Sequence, residues 1–268
     1  MHAEKTDIGG NLTDNYMNKK IDIVIPAYNE EKRIKPVLEE LTSFIHKNNL
    51  NWRIIVSVDG NDGTKKIVKA LMSDYSFILL STSTGRSGKG NAIRRVLPML
   101  DSEYTILMDA DNSIELKTIL INMKNAVKYD LAIFSRYVNS ENKIPFYRRF
   151  ISRGFNFLVN SILSIKVNDT QSGYKIIRTD LLKKSLSKVG VTNTFFDIDL
   201  IYYLKSFGAT IIEIPVKYIH AAGSTFNPFT EIIGQGASLV AFRIRHSRIY
   251  KYIPDIFVQL YYKLFKYI

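Results

Sequence analysis

The chain has 268 residues, a hydrophobic content of 46% and a formal net charge of +12 at pH 7. This length and apolar content suit one large α/β domain with a tail, and they argue against an intrinsically disordered chain. The sequence contains no cysteine, which excludes a disulfide framework and a thiolate metal site, and its positive charge predicts attraction to polyanions such as nucleic acid, anionic lipid headgroups or phosphorylated substrates.

The two ends of the chain differ from its middle. Residues 1–19 are polar and lack the apolar segment of a secretion signal, so we expect a flexible leader there. Residues 20–222 are predicted to form one folded domain, and residues 223–268, rich in aromatic and basic side chains, to form amphipathic helices. No run of about 18 apolar residues occurs, so we expect no membrane-spanning helix.

Strands and helices alternate from residue 21 onwards. Apolar runs predict strands at residues 21–26, 52–59, 77–82, 104–108, 130–137 and 210–218, and residues 168–180 are predicted to form a polar loop that runs into a further strand. Apolar residues at helical spacing predict helices between them, the first with Ile34, Val37, Leu38, Leu41 and Ile45. This alternation predicts an α/β fold with a single Rossmann-like, mostly parallel sheet flanked by helices, right-handed crossovers, and a ligand site beyond the carboxyl ends of the strands.

Four polar motifs fall at those carboxyl ends: PAYNE, VDGNDGT, GRSGKG and DAD. We therefore expect them to converge on one crevice. GRSGKG is not a Walker A loop, because Ser83 stands where that motif needs a glycine. Lys89, between two glycines, is predicted to neutralise phosphate, whereas Arg86 fits a ligand contact and a solvated turn about equally well.

The DAD motif follows the buried strand at residues 104–108. Side chains alternate along an extended chain, so Asp109 and Asp111 should point to one side and share a divalent cation. Mg²⁺ and Mn²⁺ prefer oxygen ligands, and Mg²⁺ commonly takes one or two carboxylates plus substrate phosphates, which implies a diphosphate ligand. The alternative is a pair of acidic caps for the following helix.

The second half of the chain adds cationic side chains. Arg136 ends the predicted fifth strand, at the crevice. Arg148, Arg149 and Arg153 lie about one turn apart on a predicted helix, beside several aromatic residues, and this basic and apolar surface suits an amphiphile. The alternative is a solvent-facing basic helix. Asp197 and Asp199 start another helix, where acidic residues also simply favour the helix dipole.

The ordered motifs IPAYNEEKRI, DGT, GKGNAIR, MDADN, SRY, DTQSGYK, FFDIDL and EIPVKY resemble the family-2 glycosyltransferases, specifically the dolichyl-phosphate mannose and glucose synthases. The resemblance covers residues 20 to 245, and the segment after residue 222 is more similar to the glucosyltransferases. It implies a GT-A fold and a metal-dependent hexosyltransferase, whose catalytic domain is residues 20–222. Such an enzyme inverts the anomeric carbon of a sugar while transferring it from a sugar nucleotide to a polyprenyl phosphate.

The resemblance also implies roles for single residues. The residues implied to bind the nucleotide-sugar are Pro26, Ala27, Tyr28, Glu30, Asp59, Lys89, Asp109, Ala110 and Asp111. Asp109 and Asp111 would hold Mg²⁺ or Mn²⁺, and Arg136 with one of Arg148 or Arg149 would meet the acceptor phosphate. Asp169 and Gln171 match the sugar and acceptor end. The residues implied to be catalytic are Asp109, Asp111, Arg136 and Asp197.

The expected reaction needs no general base, because a phosphate monoester with a second pKa near ~6 is largely dianionic at neutral pH. UDP-glucose is favoured as the donor and dolichyl phosphate as the acceptor. The alternatives are a GDP-mannose enzyme, a family-2 transferase with a soluble glycan acceptor and, in a different class, a basic nucleic-acid-binding protein, which the acidic crevice and the lack of a binding motif oppose. The expected location is the cytoplasmic face of a membrane, as a peripheral protein, with residues 223–268 docking on lipid or mediating a homo-oligomer.

Overall fold

The computed structural model describes residues 19–111, 113–137, 146–190, 195–217 and 228–247, with residues 146–148 and 228–233 described by their backbone alone. The predicted leader before Lys19 and the tail after Ser247 lie outside these residues. The strands are β1 Ile21–Tyr28, β2 Trp52–Asp59, β3 Ile78–Thr82, β4 Tyr104–Leu107, β5 Leu131–Ser135, β6 Lys175–Arg178 and β7 Ile211–Pro215. The α-helices are α1 Ile34–Lys47, α2 Thr64–Asp74, α3 Lys89–Val96, α4 Leu116–Ala126, α5 Phe146–Leu163, α6 Thr179–Leu186, α7 Phe196–Ser206 and α8 Pro228–Arg245.

The seven strands form one sheet in the order β3-β2-β1-β4-β6-β5-β7. β1 pairs in parallel with β2 and β4, β2 with β3, and β5 with β7, so the prediction of a mostly parallel sheet is confirmed. β6 runs antiparallel to both of its neighbours, β4 and β5. The amino end of β6 therefore lies at the same edge of the sheet as the carboxyl ends of the other strands.

Helices cover both faces of the sheet because the central strands are apolar on both sides. Ile23 and Ile25 of β1 join one core cluster with α1, α2 and α4, whereas Val24 joins a second cluster with α3, α5, α6, α7 and α8. Each fully buried Ile or Val contributes about 1.5–3 kcal/mol relative to leaving it exposed. Two buried faces explain why the strands are near-continuous apolar runs.

Helix α8, in the segment predicted to form amphipathic helices, packs on α5 and buries Leu239 and Phe242 in the second core cluster. The division of the chain at residues 222 and 223 stays a prediction. None of the helices in the described part of the chain combines the length and the hydropathy that a bilayer crossing requires.

Candidate active site

The two predicted metal ligands follow directly after β4. Asp109 is partly exposed, Asp111 is half-buried, and Ala110 between them is buried. The alternative that these acids cap the next helix does not match the structure, because α4 begins at Leu116 with Glu115 as its N-cap residue. Asp111 instead accepts a hydrogen bond from the backbone N–H of Ser113, at 3.2 Å, within its own turn.

The antiparallel strand β6 places a glycine against the Asp109 carboxylate. Lys175 of β6 pairs with Leu107 of β4, so Gly173, two residues before Lys175, lies beside Asp109, two residues after Leu107. A Cβ atom on Gly173 would be 1.7 Å from Asp109 Oδ2 and would overlap it. The backbone therefore approaches the carboxylate as closely as only glycine permits.

Negative charge is concentrated around this turn. Burial raises the pKa of Asp111, and the charge of Asp109 raises it further. Burial also raises the pKa of Glu30 in spite of Arg33, and Asp111 and Asp109 add to that rise. The pKa of the buried Tyr174 hydroxyl is raised by burial and then by the same two carboxylates. A bound cation would relieve this repulsion.

The donor set fits the implied Mg²⁺ or Mn²⁺. Asp109 and Asp111 supply hard carboxylate oxygens, and no cluster of three or more His, Cys, Asp or Glu side chains suited to a metal occurs among the described residues. Mg²⁺ is commonly held by one or two carboxylates while substrate phosphates and water complete its shell. Two carboxylates in an open crevice suit that kind of site better than a structural metal cage.

A chain of alternating charges leads from the Asp109 carboxylate into the core. Lys89, the first residue of α3, donates to Asp109 Oδ1 at 3.0 Å and to Asp197 Oδ2 at 2.9 Å. Asp197 Oδ1 in turn accepts from Nζ of Lys175, at 2.7 Å. Asp197 and Lys175 are both buried.

These contacts favour the charged forms of Lys89 and Asp197, whereas the burial of Lys175 outweighs its pairing with Asp197 and lowers the pKa of Lys175. Burial alone would lower the pKa of Lys89, but the charges of Asp109 and Asp197 outweigh it and raise that pKa. For Asp197, burial would raise the pKa, but Lys175 and Lys89 outweigh it and lower that pKa. Asp197 is therefore a carboxylate held between the Nζ atoms of two lysines, which makes it a poor acceptor for a proton.

The predicted nucleoside end lies at the carboxyl ends of β1 and β2. Ala27 is buried, Pro26 is half-buried and the ring of Tyr28 is 43% exposed. The guanidinium of Arg86 lies over the Tyr28 ring, 5.1 Å from its centroid, so the loop after β3 reaches the end of β1. Glu30 lies in the loop before α1, and Arg33 donates to both of its carboxylate oxygens at 2.6 and 2.7 Å.

Asp59, predicted to contact the nucleoside, is buried and already has protein partners on both carboxylate oxygens. Arg95 Nη2 donates to Oδ1 at 2.8 Å, and the backbone N–H and the hydroxyl of Ser87 donate to Oδ2 at 2.7 and 2.6 Å. Asp59 thus holds the GRSGKG loop in place. Its contact with a nucleoside stays a prediction.

The predicted acceptor end is organised by Arg136, just after β5. The buried Asp169 carboxylate accepts the Arg136 backbone N–H at 2.9 Å and two guanidinium hydrogen bonds at 2.9 and 2.8 Å. Gln171 lies half-buried in the same loop. Arg149 is half-buried on α5, whereas the side chain of Arg148 lies outside the described residues. Their contacts with an acceptor stay predictions.

Sequence reasoning missed four residues of this site: Gly173, Lys175, Ser87 and Arg95. Lysine in a short strand normally indicates a solvent-facing position, and nothing in the spacing links Lys175 to Asp197. The motif DTQSGYK contains Gly173 and Lys175, so the signal was present in the resemblance, although no role was assigned to either residue.

Comparison with known proteins agrees with the architecture and the motifs. Residues 22–186 match the model of the family described as glycosyl transferase family 2. The chain is similar to the dolichyl-phosphate β-glucosyltransferases of Dictyostelium discoideum and Homo sapiens, with 26% and 27% identity over 246 residues. In both cases the match covers 85% of this chain, and it covers 75% and 76% of the relatives.

Two solved structures show the same fold. One is glucosyl-3-phosphoglycerate synthase from Mycobacterium tuberculosis, crystallised with Mn²⁺ and UDP (TM-score 0.58, 16% identity, 84% of this chain and 79% of that chain). The other is a mannosyltransferase from Pyrobaculum calidifontis with GDP-Man and Mn²⁺ (TM-score 0.60, 16% identity, 93% and 68%). The predicted GT-A fold is confirmed, and because the family model covers more than half of the sequence, the chain belongs to glycosyl transferase family 2.

Proposed function

We propose that this enzyme transfers a hexose, with glucose favoured, from a nucleotide-sugar to a polyprenyl phosphate such as dolichyl phosphate. The names of the similar proteins support this choice of donor sugar and acceptor. The similarity to them extends over 85% of the chain and so beyond the family match at residues 22–186. A stretch of that length includes Asp197, which lies beyond the family match.

The observation that carries the proposal is the placement of two oppositely charged groups at one edge of the sheet. The carboxylates of Asp109 and Asp111 follow β4, and Arg136 follows β5, with β6 alone between these strands. Two strand spacings separate the groups by about 10 Å. That distance suits a hexosyl group with a metal-bound diphosphate on one side and an acceptor phosphate on the other.

The residues of the site suit a single displacement at the anomeric carbon. An oxygen of the dianionic acceptor phosphate forms a bond to C1, and the bond from C1 to the donor diphosphate breaks, which inverts C1 and releases a nucleoside diphosphate. Arg136, fixed by Asp169, orients the acceptor phosphate, and Lys89 donates to the departing diphosphate. When bound at Asp109 and Asp111, Mg²⁺ or Mn²⁺ neutralises charge on the diphosphate.

No general base is required, since the acceptor is already an oxyanion. The position of Asp197 supports this, because two lysines lower its pKa and occupy both of its carboxylate oxygens. We propose that Asp197 contributes through its charge and not by accepting a proton.

We also propose that the enzyme binds the cytoplasmic face of a membrane mainly through the basic and aromatic residues 249–268, with α5 and α8 as a weaker second contact. The two helices pack together, and six of their large apolar side chains are exposed: Phe150, Phe157, Leu158, Ile162, Val240 and Ile244. Exposed Arg153 and Arg243 lie on the same helices and complement anionic headgroups. Because the proposed acceptor carries its phosphate at a membrane surface, this face would bring the crevice to it.

The test is transfer from radiolabelled UDP-glucose, GDP-mannose and UDP-N-acetylglucosamine to a short polyprenyl phosphate, with Mg²⁺ or Mn²⁺. We expect UDP-glucose to give a lipid-linked product, and Asp109→Asn or EDTA to lower the rate by about 10³-fold, since the diphosphate becomes a poor leaving group. Full activity in EDTA would contradict the metal site. Transfer to soluble glycans but not to the lipid would contradict the acceptor.

A further inference from the structure

Lys175 is a buried charge with no assigned part in the reaction. It lies on β6 between apolar neighbours, its side chain has no solvent exposure, and the next two residues are Ile176 and Ile177. Burying an ammonium group is costly unless it is paired and hydrogen-bonded. Lys175 meets that condition by donating to Asp197 Oδ1, at 2.7 Å, and to the backbone carbonyl oxygen of Ser172.

Asp197 connects Lys175 to Lys89, the lysine that lies at the crevice. Lys89 is shared between Asp109 and Asp197, with nearly equal distances of 3.0 and 2.9 Å. Its side chain is 22% exposed and that of Asp109 is 40% exposed, whereas Lys175 is inaccessible. The solvent end of the charge chain is therefore the end at the predicted metal ligand.

The sharing of Lys89 depends on how strongly Asp197 attracts it. Lys175 neutralises part of the Asp197 charge, so the pull on Lys89 is weaker than that of an unpaired buried carboxylate. Removing the Lys175 charge would leave Asp197 with Lys89 as its sole ionic partner among the described residues. Lys89 would then move towards Asp197 and away from Asp109.

We propose that Lys175 is a positioning residue that acts through Asp197 to keep Lys89 available for the donor diphosphate. In the absence of ligand, Lys89 donates to the Asp109 carboxylate. When a divalent cation occupies that carboxylate, the same N–H group of Lys89 would donate to a diphosphate oxygen instead. The inference rests on the donor half of the proposed function and is independent of the acceptor.

The proposal predicts opposite effects on two ligands. In Lys175→Met, Lys89 is withdrawn from Asp109, so Mn²⁺ alone should bind more tightly, while UDP in the presence of Mn²⁺ should bind about 10-fold more weakly. A purely structural role would weaken both. Calorimetric titration of the full chain with Mn²⁺ alone and then with UDP measures each affinity. Lys183→Met is the matched control, because Lys183 on α6 also donates to a backbone carbonyl, that of Leu100, away from the crevice.

A double-mutant cycle distinguishes positioning from the simple loss of a nearby charge. Lys89→Met should itself weaken UDP binding, and adding Lys175→Met to it should cause no further loss, because the second residue acts only through the first. Additive losses overturn the proposal. If neither Lys175→Met nor the smaller change Lys175→Gln gives folded protein by circular dichroism, Lys175 is a folding residue and the proposal is wrong.

The same titrations separate this inference from the proposed function. A wild-type protein that binds Mn²⁺ and UDP but transfers no sugar to polyprenyl phosphate contradicts only the acceptor. Unchanged binding in Lys175→Met contradicts only the positioning role. A wild-type protein that binds Mn²⁺ but neither UDP nor GDP overturns both.

Discussion

Gly173 shows how one missing side chain shapes the crevice. A Cβ atom at this position would be 1.7 Å from Asp109 Oδ2, so Gly173→Ala must displace the carboxylate. A displacement of about 1 Å in a catalytic group can lower activity about 10²-fold, and we expect a loss of that size in the rate of transfer. Steady-state kinetics at saturating Mn²⁺ measure it.

The control for this substitution is Gly236→Ala, in α8 and outside the four crevice motifs. A Cβ atom at Gly236 meets no heavy atom within 4 Å, so we expect activity to stay within a factor of two. Wild-type activity in Gly173→Ala would contradict the assignment of Asp109 as a metal ligand, because that role requires the carboxylate to stay in place.

Single acids were easier to predict than their partners. The family resemblance predicts Asp59 and Asp169 as site residues, and the structure shows that each carboxylate is bound by an arginine, Arg95 and Arg136 respectively. Arg95 lies 36 residues from Asp59, and no periodicity connects the two. Partners of this kind are fixed by sheet order and helix packing, which a single sequence does not reveal.

At the scale of elements, Asp130 joins the starts of β5 and β7. Its Oδ2 accepts the backbone N–H of Thr210 at 2.9 Å and the Thr210 hydroxyl at 2.8 Å. The backbone hydrogen bond from Thr210 lowers the pKa of Asp130 from its usual 3.8 and outweighs burial, which raises it. The stabilisation is therefore present above the pKa of the unfolded chain and is lost as the pH falls through the lower, folded pKa.

We expect Asp130→Asn to lower the free energy of unfolding by about 1 kcal/mol at pH 7, and the difference from wild type to shrink as the pH falls below about 3.8. Urea unfolding at pH 7 and pH 3 measures this. Asp74→Asn, at the exposed end of α2, is the control. A difference that is equal at both pH values would show that the effect does not come from the charge.

Helix α5 carries the predicted cations of the acceptor site. Replacing both Arg148 and Arg149 with alanine should raise the KM for polyprenyl phosphate by about 10-fold or more, since charge-assisted hydrogen bonds to phosphate are the stronger ones. The KM for the sugar nucleotide should change little. Replacing the exposed Lys65 and Lys66 of α2 with alanine is the control, because α2 packs on the opposite face of the sheet from α5. Equal loss of both affinities would indicate a structural role for the pair.

Elements with a strong apolar pattern were predicted well, whereas the short, charged helix α6 was not. β2 spans residues 52–59 as predicted, because an apolar run ends in a charge there. Helix α6, Thr179–Leu186, was missed, since its eight residues include two lysines and follow β6 without a loop. The antiparallel direction of β6 has no signal in the alternation of strands and helices, although it brings Gly173 and Lys175 into the site.

At the scale of the whole molecule, the tail of the chain bears on how the crevice is brought to a lipid acceptor. Residues 249–268 have the sequence IYKYIPDIFVQLYYKLFKYI, in which aromatic and aliphatic residues alternate with lysines. Each lysine near an anionic surface contributes about 1 kcal/mol. We predict that a chain cut after Arg248 no longer sediments with anionic liposomes but still glycosylates a short, soluble polyprenyl phosphate.

The matched control is the same cut protein with liposomes of neutral lipid, to which neither form should bind strongly. If the cut protein still sediments with anionic liposomes, the tail is not the main anchor, and the exposed apolar side chains of α5 and α8 become the principal contact. If the cut protein changes its oligomeric state in solution, the alternative that the tail joins copies of the chain is favoured.

The reversed strand β6 also sets the order in which the protein can be assembled. β1, β2, β3 and β4 all lie before residue 108 and pair with one another, whereas Thr105 of β4 pairs with Ile177 of β6, which is synthesised 72 residues later. β6 can therefore join the sheet only after these four strands have been synthesised. A nascent chain that ends before Lys175 would therefore carry β4 as an open edge strand, with the carboxylates of Asp109 and Asp111 already made but without the glycine and the lysine that define their surroundings.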